Sequence, residues 1–177
     1  MPSSTFCWNL LPSHKLTQLP VHQQYFAYAE AYLDSAKRLC TVLARSREKA
    51  SFERGSVVLY LTQQAMELFF KGAILKSAPT ERFSHGLPQL QNRYKTLYRA
   101  KKYQVRELFR VPYEGLTKDQ IAQVQGLDPP TDQLYRYPED KKGKPWSGLH
   151  AFEATSYLKE LSGLHEEIRL AQAHIDA

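Results

Sequence analysis

The sequence predicts an all-α fold: an up-and-down antiparallel bundle of four main helices, with a short helix and an ordered loop. Its central stretch, residues 56–76, is SVVLYLTQQAMELFFKGAILK, which is apolar nearly all round and must be enclosed by other helices. At 21 residues and without strict alternation, this stretch is too long for a strand. Two more stretches, at about 22–49 and 149–174, repeat apolar residues every three or four positions, as amphipathic helices do.

The composition is typical of one folded domain. A chain of 177 residues is long enough to bury a core without disulfides or metals. Its 11 Tyr, 8 Phe and 2 Trp, against only 8 Gly, argue against low-complexity disorder. The formal net charge of +6 favours acidic partners, with nucleic acid first and an anionic membrane surface second.

The termini and cysteines indicate a cytoplasmic protein. Cys7 and Cys40 have neither a metal-binding spacing nor a disulfide framework, so two reduced thiols are expected. Residues 1–20 lack the basic start and continuous apolar run of a signal peptide. Glu67 and Lys71 make the central helix a poor membrane span, and no membrane partner is expected.

We divide the chain into an N-terminal extended arm, residues 1–20, and a single helical domain, residues 21–177. The arm contains Pro2, Pro12 and Pro20 among serines and threonines, which favours an extended conformation. The domain shows no internal repeat and no linker long enough to split it.

The helix boundaries follow from local signals. The first helix is expected over about His22 to Lys49, and residues 51–55 either form a short break or begin the central helix early. The central helix should end near Ser77, ahead of Pro79, and Pro88 suits the first turn of a third helix, because its missing N–H costs nothing there.

The third helix is expected to carry a strongly basic segment, residues 93–110, until Pro112 breaks it. Three tyrosines, Tyr94, Tyr98 and Tyr103, are interleaved with its cations. The segment is either a phosphate-binding surface with aromatic faces for single-stranded bases, or a solvated helix face whose tyrosines belong to the apolar stripe. The segment contains one acid, Glu107, and seven cations: Arg93, Lys95, Arg99, Lys101, Lys102, Arg106 and Arg110.

The remainder of the chain predicts one short helix, one loop and the last long helix. Residues 117–120 read as a capping box that starts a short helix ending near Gly126. Residues 134–146 predict an ordered crossover loop, since they are too few for a sheet. The last helix should run from about Leu149 to His174.

A polar line on the central helix is the best candidate pocket. Its members are three or four positions apart and share one side of the helix. With His85, they either bind a phosphate or ribose next to an acid–base group, or form an intrahelical ion pair with a helix cap. Arg136 is either a structural clamp, by stacking or by pairing with the line, or a ligand contact. The line consists of Gln63, Gln64, Glu67 and Lys71.

Other chemistry is not indicated. The sequence has no phosphate-cradling glycine loop, no metal-spaced His/Cys cluster and no Gly-x-Ser-x-Gly turn. It also lacks the paired acids of a nucleotidyltransferase. We therefore expect neither a metal nor a cofactor.

Three fragments stand out: QQAMELFFKGAIL in the central helix, SHGLPQL before the third helix, and YRYPED followed by HAFEA before the last helix. Together they resemble the HEPN superfamily of small helical bundles. Ser84 and Gly86 depart from the Thr and Asp usual in the second fragment. The resemblance implies a bundle that usually dimerises and associates with RNA or nucleotides, commonly in toxin–antitoxin, defence or nucleotidyltransferase-linked settings.

The resemblance also implies a test for catalysis, because its ribonuclease members carry Arg, four to six residues, then His. Arg169 and His174 fit that spacing near the C-terminus, whereas Arg82 and His85 are separated by only two residues. The alternative is that Arg169 and His174 are exposed charges at a helix end, where cations suit the helix dipole.

Three functions follow from these patterns. The first is a non-catalytic or divergent HEPN-like homodimer that binds RNA or nucleotides. The second is a metal-independent endoribonuclease. The third is an interaction subunit of a nucleotidyltransferase or effector complex, in which the aromatic N-terminal arm docks on a neighbour.

Overall fold

A computed structural model gives the architecture of the chain. The regular secondary structure of the described residues is helical, and they contain no strand, only one isolated antiparallel bridge between Glu139 and Pro145. The predicted all-α class is therefore confirmed. The described residues are 13–49, 51–83, 86–108, 117–120, 135–139, 142–143, 145 and 152–177.

Helix α2, Val21–Arg45, closely matches the predicted first helix. Its buried residues recur every three or four positions, so one stripe faces the core. The last residues of the predicted helix, Arg47–Lys49, instead form a 3-10 turn. The buried stripe consists of Phe26, Ala29, Leu33, Ala36, Cys40 and Leu43.

Helix α3, Phe52–Ser77, is the central element that the sequence predicts. It starts early because the Ser51 side chain accepts a hydrogen bond from the Arg54 N–H, and it ends two residues before Pro79. It contacts α2 and two other helices, Leu87–Leu97 (α4) and Ala154–Asp176 (α5). Enclosure on several sides explains its nearly continuous apolar surface.

Contacts give the directions of the helices. In α2 and α5, His22 lies against Asp176, Glu30 against His165, and Cys40 against Ala154, so these two helices run antiparallel. Helix α2 is also antiparallel to α3: a Cβ on Gly72, near the end of α3, would lie 2.9 Å from the His22 carbonyl oxygen at the start of α2.

Helix α4 departs from the predicted up-and-down order. Its Tyr94 ring packs on Phe70, while Tyr98, one turn later, reaches Ala73, one turn further along α3. The pair therefore runs in the same direction, and the antiparallel prediction is wrong for α4. Residues 78–83 make this possible because they lead back along α3, where Phe83 lies beside Lys71.

Helix α4 also ends at Leu97, so the predicted continuation through the basic segment is wrong. The Tyr98 hydroxyl donates to the Ala73 carbonyl oxygen at 2.8 Å and accepts from Ser77 at 2.7 Å. Tyr94 donates to the Tyr103 carbonyl oxygen at 2.6 Å. These tertiary hydrogen bonds fold the chain back into a 3-10 turn, Lys101–Tyr103.

The described end of the N-terminal arm is not extended. Residues His14–Thr17 form a one-turn helix, α1, in which the Thr17 N–H bonds to the Ser13 carbonyl oxygen at 3.0 Å. This helical turn can form because residues 13–19, between Pro12 and Pro20, contain no proline. Residues 1–12, with Cys7 and the arm's aromatic residues, lie outside the described chain.

The last predicted elements are partly described. Helix α5 begins where Glu153 accepts hydrogen bonds from the N–H groups of Thr155 and Ser156. The capping box forms as predicted, with reciprocal bonds between Thr117 and Gln120, but the rest of that short helix lies outside the description. Of the helices in the described residues, none combines the length and apolar character needed to cross a bilayer.

Candidate functional site

The polar line of α3 is enclosed by the bundle. Gln63 is 2% exposed, and Glu67 and Lys71 are each 8% exposed. The Lys71 ammonium donates to a Glu67 carboxylate oxygen at 2.5 Å, one helical turn away. Gln64, the neighbour of Gln63, is half-buried. The two opposite charges thus lie together where an unpaired charge would be costly.

The C-terminal end of the polar line is covered by the chain that follows α3. The Lys71 ammonium lies 5.9 Å from the centre of the Phe83 ring, a second favourable contact for its charge. Arg82 is exposed, and His85 lies outside the described residues. The contribution of His85 to a pocket or to catalysis therefore stays a prediction.

Arg136 joins the crossover loop to the central helix. Its guanidinium carbon lies 5.4 Å from the ring centres of both Tyr60 and Tyr137. Since Tyr60 belongs to α3 and Tyr137 to the loop, the stacking holds one against the other. This geometry favours the clamp alternative for Arg136.

Two cations near the start of the basic segment, Arg93 and Lys95, have acidic partners. Arg93 binds both carboxylate oxygens of Glu81, at 2.6–3.1 Å. This hydrogen bonding holds the pKa of Glu81 below its ordinary value. Lys95 pairs with Glu107. The positive charges of Arg93 and Lys95 are therefore already paired with carboxylates, and neither is an unpaired cation available to a phosphate.

Arg106 fastens the segment to α5. Its backbone N–H and guanidinium bind Glu167 at 2.8–3.1 Å, and the guanidinium also binds Glu160 at 2.7 Å. Gly163 leaves room for it, because a Cβ there would lie 2.3 Å from a guanidinium nitrogen. With two carboxylates around it, Arg106 acts as a clamp between elements.

Three cations of the basic segment have no acidic partner among the described residues: Arg99, Lys101 and Lys102. All three are exposed, and they lie within four consecutive positions. Arg99 donates to the Thr96 carbonyl oxygen at 3.2 Å, and the Lys102 ammonium lies 4.9 Å from the centre of the Tyr103 ring. We call residues 99–103 the basic turn. Arg110 lies outside the described chain.

The tyrosines of the segment divide between core and surface. Tyr94 is 2% exposed, and burial raises its pKa. Tyr98 is half-buried and holds the end of α4, and burial is also the main cause of its raised pKa. The apolar-stripe alternative thus applies to these two residues. Tyr103, also half-buried, is the tyrosine of the three that has a cation, the Lys102 ammonium, over its ring.

The C-terminal end of α5 lies at the basic turn. The exposed His174 ring packs edge-on against Tyr103, with ring centres 6.2 Å apart. Tyr103 is therefore in contact with both His174 and Lys102. Nothing in the sequence indicated this pairing, because the two segments are distant along the chain and meet only through folding.

Arg169 lies away from this contact. Five positions along a helix correspond to about 140° of rotation, so Arg169 and His174 project in different directions from α5. Arg169 binds Glu166 through two nitrogens, at 2.8 and 3.0 Å. Within one chain, the structure brings His174 to the basic turn and leaves Arg169 apart from it.

Side chains of metal-binding type group together on two other helices. Glu30 and Asp34 of α2 and His165 of α5 place potential ligand atoms within 4.8 Å of one another. Sequence reasoning missed this group, since Glu30 and His165 are 135 positions apart. The spacing of four between the two acids was visible, but nothing in the sequence connected it with the histidine.

Comparisons with known proteins found no match among family models, curated proteins or solved structures.

Proposed function

We propose that this chain is a divergent HEPN-like module that binds RNA or nucleotides through the basic turn. The observation that carries the proposal is the exposed group Arg99, Lys101 and Lys102, which has no acidic partner in the described chain. Neighbouring cations are neutralised by carboxylates, whereas these three remain available. Affinity for a nucleic-acid backbone comes mainly from such cations, which displace the counterions of the phosphates.

The fragments that resemble HEPN proteins support the same class. The helix that carries QQAMELFFKGAIL is enclosed in an all-α bundle, and its Glu67–Lys71 pair is buried. In this proposal the chain works as a homodimer in a toxin–antitoxin or defence setting. The Glu67–Lys71 pair then supports the bundle, and the basic turn provides the contact surface.

Charge reversal at the basic turn tests the proposal. We expect the variant R99E/K101E/K102E to lose binding to a labelled single-stranded RNA, measured by fluorescence anisotropy at several salt concentrations. The matched control is R38E/R45E/K159E, which reverses three exposed cations elsewhere and changes the net charge by the same amount.

The control distinguishes a specific RNA-binding surface from general electrostatic attraction by the overall positive charge. Loss in the basic-turn variant with retention in the control supports the proposal. Equal weakening of both variants would show that only overall positive charge matters, and unchanged binding by the first variant would eliminate the basic turn as the contact surface.

A metal-independent endoribonuclease is the second candidate, favoured by the contact of His174 with Tyr103 beside Lys102. His174 would act as the general acid or base, and Lys102 would stabilise the negative charge that develops on the phosphate. Cleavage of labelled RNA in EDTA that disappears in H174A supports this candidate. RNA that stays intact with the wild-type protein removes it and leaves the binding module.

A further inference from the structure

The helix pair α2–α5 carries a polar group that the proposed function does not use. Glu30 and Asp34 lie one turn apart on α2 and therefore face the same side. His165 reaches them from α5, with its Nε2 2.6 Å from a Glu30 carboxylate oxygen. All three residues are half-buried, and their potential ligand atoms lie within 4.8 Å of one another.

The surrounding contacts fix this geometry. On one side of the group, His22 meets Asp176 at 3.3 Å, and on the other the Cys40 thiol donates to the Ala154 carbonyl oxygen at 3.4 Å. The two helices are thus fastened along their length. Three potential ligands from two rigid helices are better positioned than ligands on loops.

Asp34 distinguishes the group from an ordinary surface ion pair. Glu30 and His165 satisfy each other, but Asp34 has no hydrogen bond or ion pair to any residue that the structure describes. The nearby Arg169 is bound to Glu166. The Asp34 carboxylate therefore lies beside the Glu30–His165 pair and has no cationic partner among the described residues.

We propose that Glu30, Asp34 and His165 bind one divalent transition-metal ion, with Zn²⁺ the best suited, which joins α5 to α2. Zinc accepts mixed imidazole and carboxylate ligands at about 2.0–2.2 Å in tetrahedral geometry, and three protein ligands leave the fourth position to water. An imidazole ligand disfavours Mg²⁺ and Ca²⁺, which prefer oxygen. The ion would replace the direct Glu30–His165 hydrogen bond.

Titration of the untagged, chelator-treated full chain tests the site. We expect saturable 1:1 binding of ZnCl₂ by calorimetry and a rise in melting temperature that MgCl₂ does not reproduce. Binding of Co²⁺ should give the intense visible absorption of a tetrahedral site. Both D34N and H165Q should weaken Zn²⁺ binding by at least about tenfold.

D34N is the sharper variant, because Asp34 has no hydrogen bond or ion pair in the described chain, so its replacement removes neither. H22Q is the matched control, since it disrupts a two-residue His–carboxylate pair across the same helices. Binding retained in H22Q and lost in D34N supports the site. Absence of saturable binding, undiminished binding in D34N, or equal loss in H22Q overturns it.

Discussion

Single side chains show most clearly why a charge has to be judged by its neighbours. The Glu67–Lys71 pair was predictable from its spacing of four, and it forms inside the bundle at 2.5 Å. Arg106 has the same chemistry as its basic neighbours in the sequence. The structure surrounds it with Glu160 and Glu167, which local spacing does not reveal.

Removal of one partner of the buried pair should be costly. We expect K71M to lower the free energy of unfolding by about 3 kcal/mol, because it leaves the Glu67 carboxylate buried without its cation. The double variant E67Q/K71M should be more stable than K71M alone, since neither charge remains. Urea denaturation measures both values.

The control for this prediction is K76M, which changes an exposed lysine in the last turn of the same helix. Its effect should stay within about 0.5 kcal/mol. A K71M variant as stable as K76M would contradict a structural role for the pair.

At the scale of helices, the termini follow local chemistry where that chemistry is strong. Helix α3 ends ahead of Pro79, and α4 has Pro88 in its first turn, as the sequence predicts. The end of α4 was not predictable in this way, because it depends on Tyr98 reaching α3 across the fold. A tertiary hydrogen bond there outweighs helix propensity.

The N-cap of α5 should make stability depend on pH. Hydrogen bonding by the Ser156 side chain, together with the Ser156 and Thr155 N–H groups, lowers the pKa of Glu153 from 4.5 to about 2. A lowered pKa in the folded state stabilises the protein fully above the unfolded value, and this stabilisation is lost as pH falls from about 4.5 towards 2. The stability gap between wild type and E153Q should therefore close over that interval.

Urea midpoints measured between pH 2 and pH 7 test this dependence. E48Q serves as the control, because Glu48 is an exposed glutamate of the 47–49 turn. A gap between wild type and E153Q that stays constant with pH would show that the Glu153 carboxylate does not act as a charged cap.

For the whole molecule, the net charge of +6 matters less than its distribution. Within the described part of the basic segment, folding places Glu81, Glu107 and Glu167 against Arg93, Lys95 and Arg106 and leaves the basic turn without an acidic partner. It also brings the end of α5 to that turn. The candidate interface is thus a product of tertiary structure.

The salt dependence of RNA binding should report this distribution. If Arg99, Lys101 and Lys102 each contact a phosphate, the variant R99A/K101A/K102A should reduce the slope of log K against log salt by about 2 for single-stranded RNA. Anisotropy titrations at four or more salt concentrations give the slope. The same slope as wild type would indicate that these side chains touch no phosphate.

The sequence by itself determined the helical class, the central position of α3, the Glu67–Lys71 spacing and the capping box at Thr117, because periodicity and capping act over a few neighbouring residues. Only the tertiary structure decided the direction of α4, the neutralisation of Arg106, the contact of His174 with Tyr103, and the grouping of Glu30 and Asp34 with His165. Each of these depends on residues far apart in the chain, which meet when burial of the apolar faces packs the helices together.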